Sequence, residues 1–505
     1  MIFQCLDDKN KMSKFIATPF YFLFFQLLLN ACSNSEENVF EVSESVNSNA
    51  YQEKSIKDAF GDDMTKYTED FHETKVFSCA NEEIKDPAEE KYSSDMGSSY
   101  SLDTLKSSSS AQKPVEDEQV AFDDFNYPYA GIPRVVIKTE TEITDRDTEI
   151  PAKFQIWGRD KPESGVMDLT IRGRGNTSWV SPKKSYKIKF VDKQNVLGMP
   201  ENRDWALISN YADKTLMKNF LAYRLSEKIG AYYSPKCKFI ELFINEEYLG
   251  VYLIMETIKI DRHRIDMPKN STSYIVEFDG KLREGEQAVY SYEITPKGKV
   301  FRVHNPKNAT EEELFAIEDH IHSFENFLIN LKEGADNEVD KWVDVDEYIK
   351  HYWVQEFSKN VDASFYTSVY FSWQKNELIK MGPVWDFDLS FGGHSKDDYN
   401  APSKWLIRNY YWNKFIFKDS VFLGKVNRFW LDYNRQFMDV FNMIDSVAKL
   451  ISPAATNNYR RWNTLKSTEY AYHRKKYSTY EEAVEDLKSW IRERINWIDE
   501  QNQKK

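Results

Sequence analysis

Four cysteines in 505 residues, Cys5, Cys32, Cys79 and Cys237, stand at no paired spacing. That argues against both a disulfide framework and a cysteine-based zinc site. The eight histidines are scattered, and His263 and His351 read as structural residues. Positive charge is in deficit, with 67 Lys and Arg against 81 Asp and Glu and a net charge of −14. A phosphate backbone needs a basic face, so no nucleic-acid partner is expected. No internal repeat is evident, and residues 32–127, rich in Ser, Glu, Asp, Lys and Asn, lack sustained apolar periodicity. Such a segment cannot bury enough surface to fold, and it reads as a disordered acidic tether.

One long apolar run is present, from Phe15 to Ala31, preceded by Lys9, Lys11 and Lys14. At about 17 residues it is short for a membrane span and right for the core of a signal peptide. It closes on Leu29-Asn30-Ala31-Cys32, and a small residue just before cysteine resembles a bacterial lipobox. That resemblance implies a lipoprotein-type signal peptide over 1–31, lipid attachment at Cys32, and export across the cytoplasmic membrane to the cell envelope. Beyond the tether the chain is dense in aromatics and can bury a sizeable core.

The most informative stretch is 381–393, where Asp386 and Asp388 lie two positions apart as an apolar segment runs into Gly392-Gly393. In extended backbone residues i and i+2 project to one side, so the two carboxylates could share a cation while Trp385, Phe387 and Leu389 face the core. Hard oxygen ligands of this kind suit Mg²⁺ or Mn²⁺, which keep waters and complete their shell with substrate phosphates.

Two further segments supply partners. Arg172-Gly173-Arg174-Gly175-Asn176-Thr177-Ser178-Trp179 forms a glycine-rich turn after an alternating strand, and 183–190 alternates so that Tyr186, Ile188 and Phe190 are buried while Lys187 and Lys189 share the other face. Glycines let backbone N–H groups approach an anion, and a strand lysine neutralises phosphate charge. Farther on, Val345, Tyr348, Ile349, Tyr352, Trp353 and Phe357 fall on one helical face, with Asp344 or Asp346 as N-cap and Asn360 at the C-cap. Asp362 then sits on the following loop, where a carboxylate can accept a proton from an attacking hydroxyl. Between it and Asp386 the spacing predicts a hairpin, Tyr366–Trp373 with Glu377–Met381.

These segments, with Trp205 to Asn210-Tyr211-Ala212-Asp213-Lys214-Thr215, Glu241 through Tyr252, and Trp385-Asp386-Phe387-Asp388-Leu389-Ser390-Phe391-Gly392, resemble the spore-coat protein H (CotH) kinase family over roughly residues 128–500. The resemblance implies an α+β, atypical two-lobed protein-kinase-like fold, with a small lobe over about 128–260 and a large lobe over about 261–500. It implies transfer of the γ-phosphoryl of ATP, with Mg²⁺ or Mn²⁺, to Ser or Thr of a protein acceptor; Ser98–Ser110 of the chain's own tether are expected among the acceptors because tethering raises their effective concentration. Residue by residue, Asp362 resembles the catalytic base, Lys187 the phosphate lysine with Lys189 as runner-up, and Asp386 and Asp388 the metal pair. Gly173, Arg174, Gly175, Asn176, Thr177 and Ser178 resemble the turn near the phosphates.

The chain departs from ordinary kinases in several places. The His-Arg-Asp of the catalytic loop is absent, Thr367 stands where a metal-binding asparagine is usual, and Asn360 is the candidate replacement. The expected small-lobe helix, from Asp213 as N-cap to Gly230, offers only Glu227 as an acid. Glu241 and Glu256 remain open as the partner of Lys187. Two other readings fit the same motifs: a metal-dependent Asp-x-Asp glycosyltransferase, and a non-catalytic envelope or surface assembly protein.

Overall fold

The computed structural model describes residues 119–503 apart from 121, 123, 337, 395, 471 and 474. The signal segment, Cys32, Cys79 and Ser98–Ser110 lie outside the described residues. Seven strands come first: β1 (Arg134–Thr139), β2 (Ile150–Trp157), β3 (Met167–Arg174), β4 (Ser185–Gln194), β5 (Asn202–Ile208), β6 (Cys237–Ile244) and β7 (Glu247–Glu256). They close into a barrel in the order β1-β2-β3-β4-β5-β7-β6, antiparallel except where β1 meets β6. Alternation fills the interior with Phe154, Leu169, Ile171, Ile188, Phe190, Trp205, Leu207, Ile240, Leu242 and Ile254. The intervening residues, Arg172 and Lys187 among them, therefore point outward. The small kinase lobe implied by resemblance is thus a closed barrel. With seven strands and one apolar face, the sheet curls around its own core and the β1–β6 pair removes its open edges.

Within this part, α1 (Thr177–Val180) follows the glycine turn and α2 (Lys218–Lys228) joins β5 to β6. The latter starts five residues after the Asp213 expected to cap it. Asp213 instead accepts hydrogen bonds from the Thr215 N–H (2.8 Å), the Thr215 hydroxyl (2.6 Å) and the Lys218 N–H (2.8 Å), fixing the loop ahead of the helix. Gly230 ends it with φ +77°, as expected. The folded part also begins before residue 128. Val120 is buried, and Tyr127 stacks on Tyr248 with ring centres 4.1 Å apart, so the last residues assigned to the tether by composition pack on the barrel.

A second, antiparallel sheet holds β8 (Ser273–Phe278), β9 (Ala288–Ser291), β10 (Lys299–Asn305), β11 (Val369–Gln374) and β12 (Lys380–Met381) in the order β12-β11-β8-β10-β9. The β11–β12 pair is the expected hairpin, with Phe371 opposite Met381. Between β10 and β11 run α3 (Glu311–Asn330), which starts with a Thr310–Glu313 capping box, and α4 (Val345–Ser358), whose N-cap is Asp344. After β12 come α5 (Asp397–Asn400), α6 (Tyr411–Ile416), α7 (Ser420–Met438), α8 (Val440–Arg461) and α9 (Tyr480–Gln503). Aromatic packing joins them: Trp353 of α4 lies 4.9 Å from Trp430 of α7, and Trp412 of α6 lies 4.9 Å from Phe278 of β8. Buried Arg494 of α9 donates to the Glu356 carboxylate (2.8 Å) and to the carbonyls of Pro402 and Lys404 (2.8 Å each), fastening α9 to α4 and to the loop that follows the Asp-x-Asp segment.

Candidate active site

The Asp-x-Asp segment is a loop, where the apolar alternation predicts a strand. β12 ends at Met381, and residues 383–388 belong to no strand. The chain bends at Asp386, whose φ of +62° is left-handed. That conformation costs an L-residue about 1–2 kcal/mol, and aspartate is one of the few non-glycine residues to adopt it. Trp385 and Phe387 are buried as expected, while Leu389 is only half-buried. The two carboxyl groups lie within hydrogen-bonding reach of each other through this bend instead of through an extended pair. Gly393 keeps room nearby, since a Cβ there would fall 2.9 Å from the Ser390 carbonyl and would also displace the Lys218 ammonium of α2.

Asp362 reaches the same place from α4. The helix ends at Lys359, left-handed at φ +47°, one residue before the expected Asn360. Asn360 Nδ2 donates to Gln355 Oε1 and to the Asp386 carbonyl, both at 3.0 Å, so this side chain ties the two segments together. Asp362 lies on the single turn Val361–Ala363, its carbonyl accepting the N–H groups of Tyr366 (3.1 Å) and Thr367 (3.3 Å). Burial, then the charges of Asp386 and Asp279, push its carboxyl up to about 7 against the pull of Lys281. Asp388 is raised well above the carboxylate range by burial and by Asp386, Asp362 and Asp213, with Lys218 opposing. Asp386 is raised by burial, with Arg174 opposing.

Among the described residues no group of three or more His, Cys, Asp or Glu side chains is arranged to hold a metal by itself. The Asp386–Asp388 pair nevertheless fits a hard divalent ion. Two mutually repelling carboxyls closed in by protein gain most from a cation, and Mg²⁺ completes its shell with waters and substrate phosphates.

The raised Asp362 carboxyl has a consequence for stability. Its folded value exceeds the unfolded one, so its contribution is fully present below about pH 4 and is lost as pH rises through about 7. Asp362→Asn lacks this loss. The variant's stability relative to wild type, followed by thermal unfolding without ligand, is expected to increase from pH 4 to pH 8 by at most roughly 4 kcal/mol. A constant difference over that range would place Asp362 in a solvated setting.

The outer face of the barrel approaches the carboxylates at Arg174. Arg174, at the end of β3, lies over the Trp385 ring at 4.9 Å and within electrostatic reach of Asp386. Arg172 and Lys187 face each other across β3 and β4. Lys187 is lowered by burial, aided by Arg172, Lys307 and Arg174 and opposed by Asp204, a concentration of positive charge suited to an anion. Lys189, by contrast, is exposed. The glycine turn reaches the site through Arg174 rather than through its glycines. Gly173 N–H already donates to the Asp145 carbonyl (2.9 Å), and a Cβ at Gly173 would strike the Trp179 ring. Arg146 donates to the Gly175 carbonyl and to Asn176 Oδ1 (2.7 Å each), while Ser178 Oγ donates to the Arg174 carbonyl at 3.4 Å and Thr177 opens α1.

Sequence reasoning missed several residues. The acid nearest Lys187 is Asp204 of β5, at 3.6 Å, and Asp204 also accepts from Lys259 at 2.6 Å. Glu241 is engaged by Tyr248 and Asn457, and Glu256 by Tyr233 and the Lys236 N–H, so neither serves Lys187. The pairing of β4 with β5, which sets Asp204 opposite Lys189, is the signal that could have found it. Lys218 and Asp279, the residue just after β8, were also missed. Asp279 accepts from the Thr367 hydroxyl at 3.3 Å, so the position where ordinary kinases keep an asparagine is bound to a second acid.

The loop between α8 and α9 brings Tyr470 and Tyr472 within electrostatic reach of Asp388, and Tyr472 also of Asp362. Lys214 fastens this loop, donating to the carbonyls of Leu465 (3.2 Å), Ser467 (2.7 Å) and Lys475 (2.5 Å). Lys214→Met strands the Ser467 and Lys475 carbonyls, while Leu465 keeps the Tyr477 N–H, and is expected to cost about 2–4 kcal/mol, with limited proteolysis newly directed between 464 and 478. An unchanged digest would contradict the fastening role.

The family model described as CotH kinase protein matches residues 171–498, more than half of the chain, from within β3 to near the end of α9. No curated protein matches it.

Proposed function

Because the chain belongs to the CotH kinase family, we propose that it transfers the γ-phosphoryl group of ATP to a serine or threonine hydroxyl of a protein. The observation that carries this reading is the cluster of three carboxylates, Asp362, Asp386 and Asp388, met by Arg174, which lies within electrostatic reach both of Asp386 and of Lys187 on the barrel face. Phosphoryl transfer demands positioning and charge stabilisation more than covalent help. In this reading Asp386 and Asp388 would hold Mg²⁺ or Mn²⁺, which when bound supplies charge neutralisation to the phosphates. Lys187 and Arg174 neutralise the remaining phosphate oxygens. Asp362 orients the acceptor hydroxyl and takes its proton as the new O–P bond forms and the bond to the β-phosphate oxygen breaks, releasing ADP. A carboxyl poised near neutrality is a suitable base for that step.

The acceptor in this proposal includes the chain's own tether at Ser98–Ser110, and the anchor is a lipid on Cys32, which would hold the enzyme at a membrane of the cell envelope. Among the described residues no helix is long and apolar enough to cross a membrane. Binding separates this reading from a nucleotide-sugar enzyme on the same motifs. Titration of the full chain with ATP and with nucleotide sugars, each with Mg²⁺ or Mn²⁺, is expected to show metal-dependent binding of ATP. Preference for a nucleotide sugar would favour glycosyl transfer, and binding of neither would favour an assembly role.

A further inference from the structure

We propose that Asn219 of α2 is a positioning residue that holds Asp386 in its left-handed conformation and so sets the spacing of the Asp386–Asp388 pair. This rests on the reading of that pair as the cation-holding site. No β-ladder serves residues 383–388, so apart from the turn bond of the Ser390 N–H to the Phe387 carbonyl their peptide groups look to side chains for partners. Around Asp386 three do. Phe387 N–H donates to Asn219 Oδ1 at 2.8 Å, Asp386 N–H donates to the Tyr223 hydroxyl at 3.4 Å, and the Asp386 carbonyl accepts from Asn360 Nδ2 at 3.0 Å.

Asn219 is the node of this set. Its Oδ1 also accepts from the Tyr223 hydroxyl (3.2 Å), and its Nδ2 donates to Asn210 Oδ1 (3.0 Å), whose own residue is left-handed at φ +50° and whose Nδ2 donates to the Leu216 carbonyl (3.1 Å). With 2 % of its surface exposed, Asn219 has no water to substitute for these partners. Rotating Asp386 to an ordinary φ would turn the Asp386–Phe387 peptide and withdraw the Phe387 N–H from Asn219. The hydrogen bond therefore selects the bent loop over an extended one, and in that bent loop the two carboxyls lie within reach of each other. A single amide on a helix outside the metal pair thus governs the pair's geometry.

The test is Mn²⁺ titration of the full chain, followed by the electron paramagnetic resonance signal of the free ion, with thermal unfolding recorded on the same samples. Asn219→Ala is expected to raise the Mn²⁺ dissociation constant tenfold or more at a temperature where the variant is fully folded. Asn219→Ser, which keeps a small polar group too short to reach Phe387 N–H, is expected to do the same and serves if alanine does not fold. Phe154→Leu, in the barrel interior, is the control for destabilisation alone and is expected to keep wild-type affinity. Wild-type affinity in the folded Asn219 variants, alongside loss of binding in Asp388→Ala, would overturn the positioning role and leave the metal pair standing. Equal binding by wild type and Asp388→Ala would instead remove the metal pair itself, and this inference with it.

Discussion

Asp362→Asn is expected to lower phosphate transfer about 10²–10⁴-fold while nucleotide binding stays close to wild type, because the substitution keeps the shape of the side chain and removes only its ability to take a proton. The location supports so large an effect. Asp362 sits on a rigid turn, its carbonyl is held by two N–H groups, and its carboxyl is raised to about 7 by burial and by its acidic neighbours. The same substitution relieves the cost of a buried charge, so the variant is expected to be more stable near pH 8 and much less active. Retained activity would assign the proton transfer to another group, and a parallel loss of ATP affinity would recast Asp362 as a nucleotide or metal contact.

Asp388→Ala is expected to abolish metal-dependent nucleotide binding and to leave the ligand-free protein within about 1 kcal/mol of wild type, or above it. Asp388 faces Asp386, Asp362 and Asp213, with Lys218 as the nearby opposing charge, so its removal relieves repulsion in the absence of a cation. Asp386 is a poorer probe, because alanine at its φ of +62° adds backbone strain to the loss of the ligand. Calorimetric titration of ATP with and without Mg²⁺ reads the first effect, and thermal unfolding the second. Normal ATP–Mg²⁺ binding by Asp388→Ala would remove the pair as the holder of the cation.

What could be read from the sequence was what local pattern determines. The helix over 345–358 and its Asp344 cap, the hairpin before the Asp-x-Asp segment, and the alternation that buries Tyr186, Ile188 and Phe190 while turning Lys187 outward all follow from periodicity and capping chemistry within one segment. The family was legible because several such motifs occur in order. What escaped depends on segments distant in sequence. Closure of the barrel rests on β1 pairing with β6, with Arg134 opposite Glu241. The acid beside Lys187 comes from the neighbouring strand, and Lys218 comes from a helix whose presence the sequence predicts but whose approach to the Asp-x-Asp loop depends on tertiary packing. The left-handed Asp386 was hidden for another reason: an apolar alternation ending in two aspartates is what a strand looks like, and the side chains that bend it lie about 165 positions upstream on α2 and 26 upstream at Asn360. The structural reason for Gly173 was likewise out of reach of local pattern, since Gly173 admits the Trp179 ring and its N–H is bound to the Asp145 carbonyl.

The measurement that tests the central claim most directly is mass spectrometry of the full chain after incubation with γ-labelled ATP and Mg²⁺ or Mn²⁺, wild type beside Asp362→Asn and Asp388→Ala. Tethering raises the effective concentration of Ser98–Ser110 into the millimolar range, so these hydroxyls are the acceptors most easily reached without a docking surface. Labelled phosphoserine is expected between 98 and 110 in the wild type and in neither variant. Equal labelling of all three proteins would assign the phosphate to a contaminating kinase and contradict the roles of Asp362 and Asp388, and no labelling of the wild type with ATP bound would contradict transfer itself.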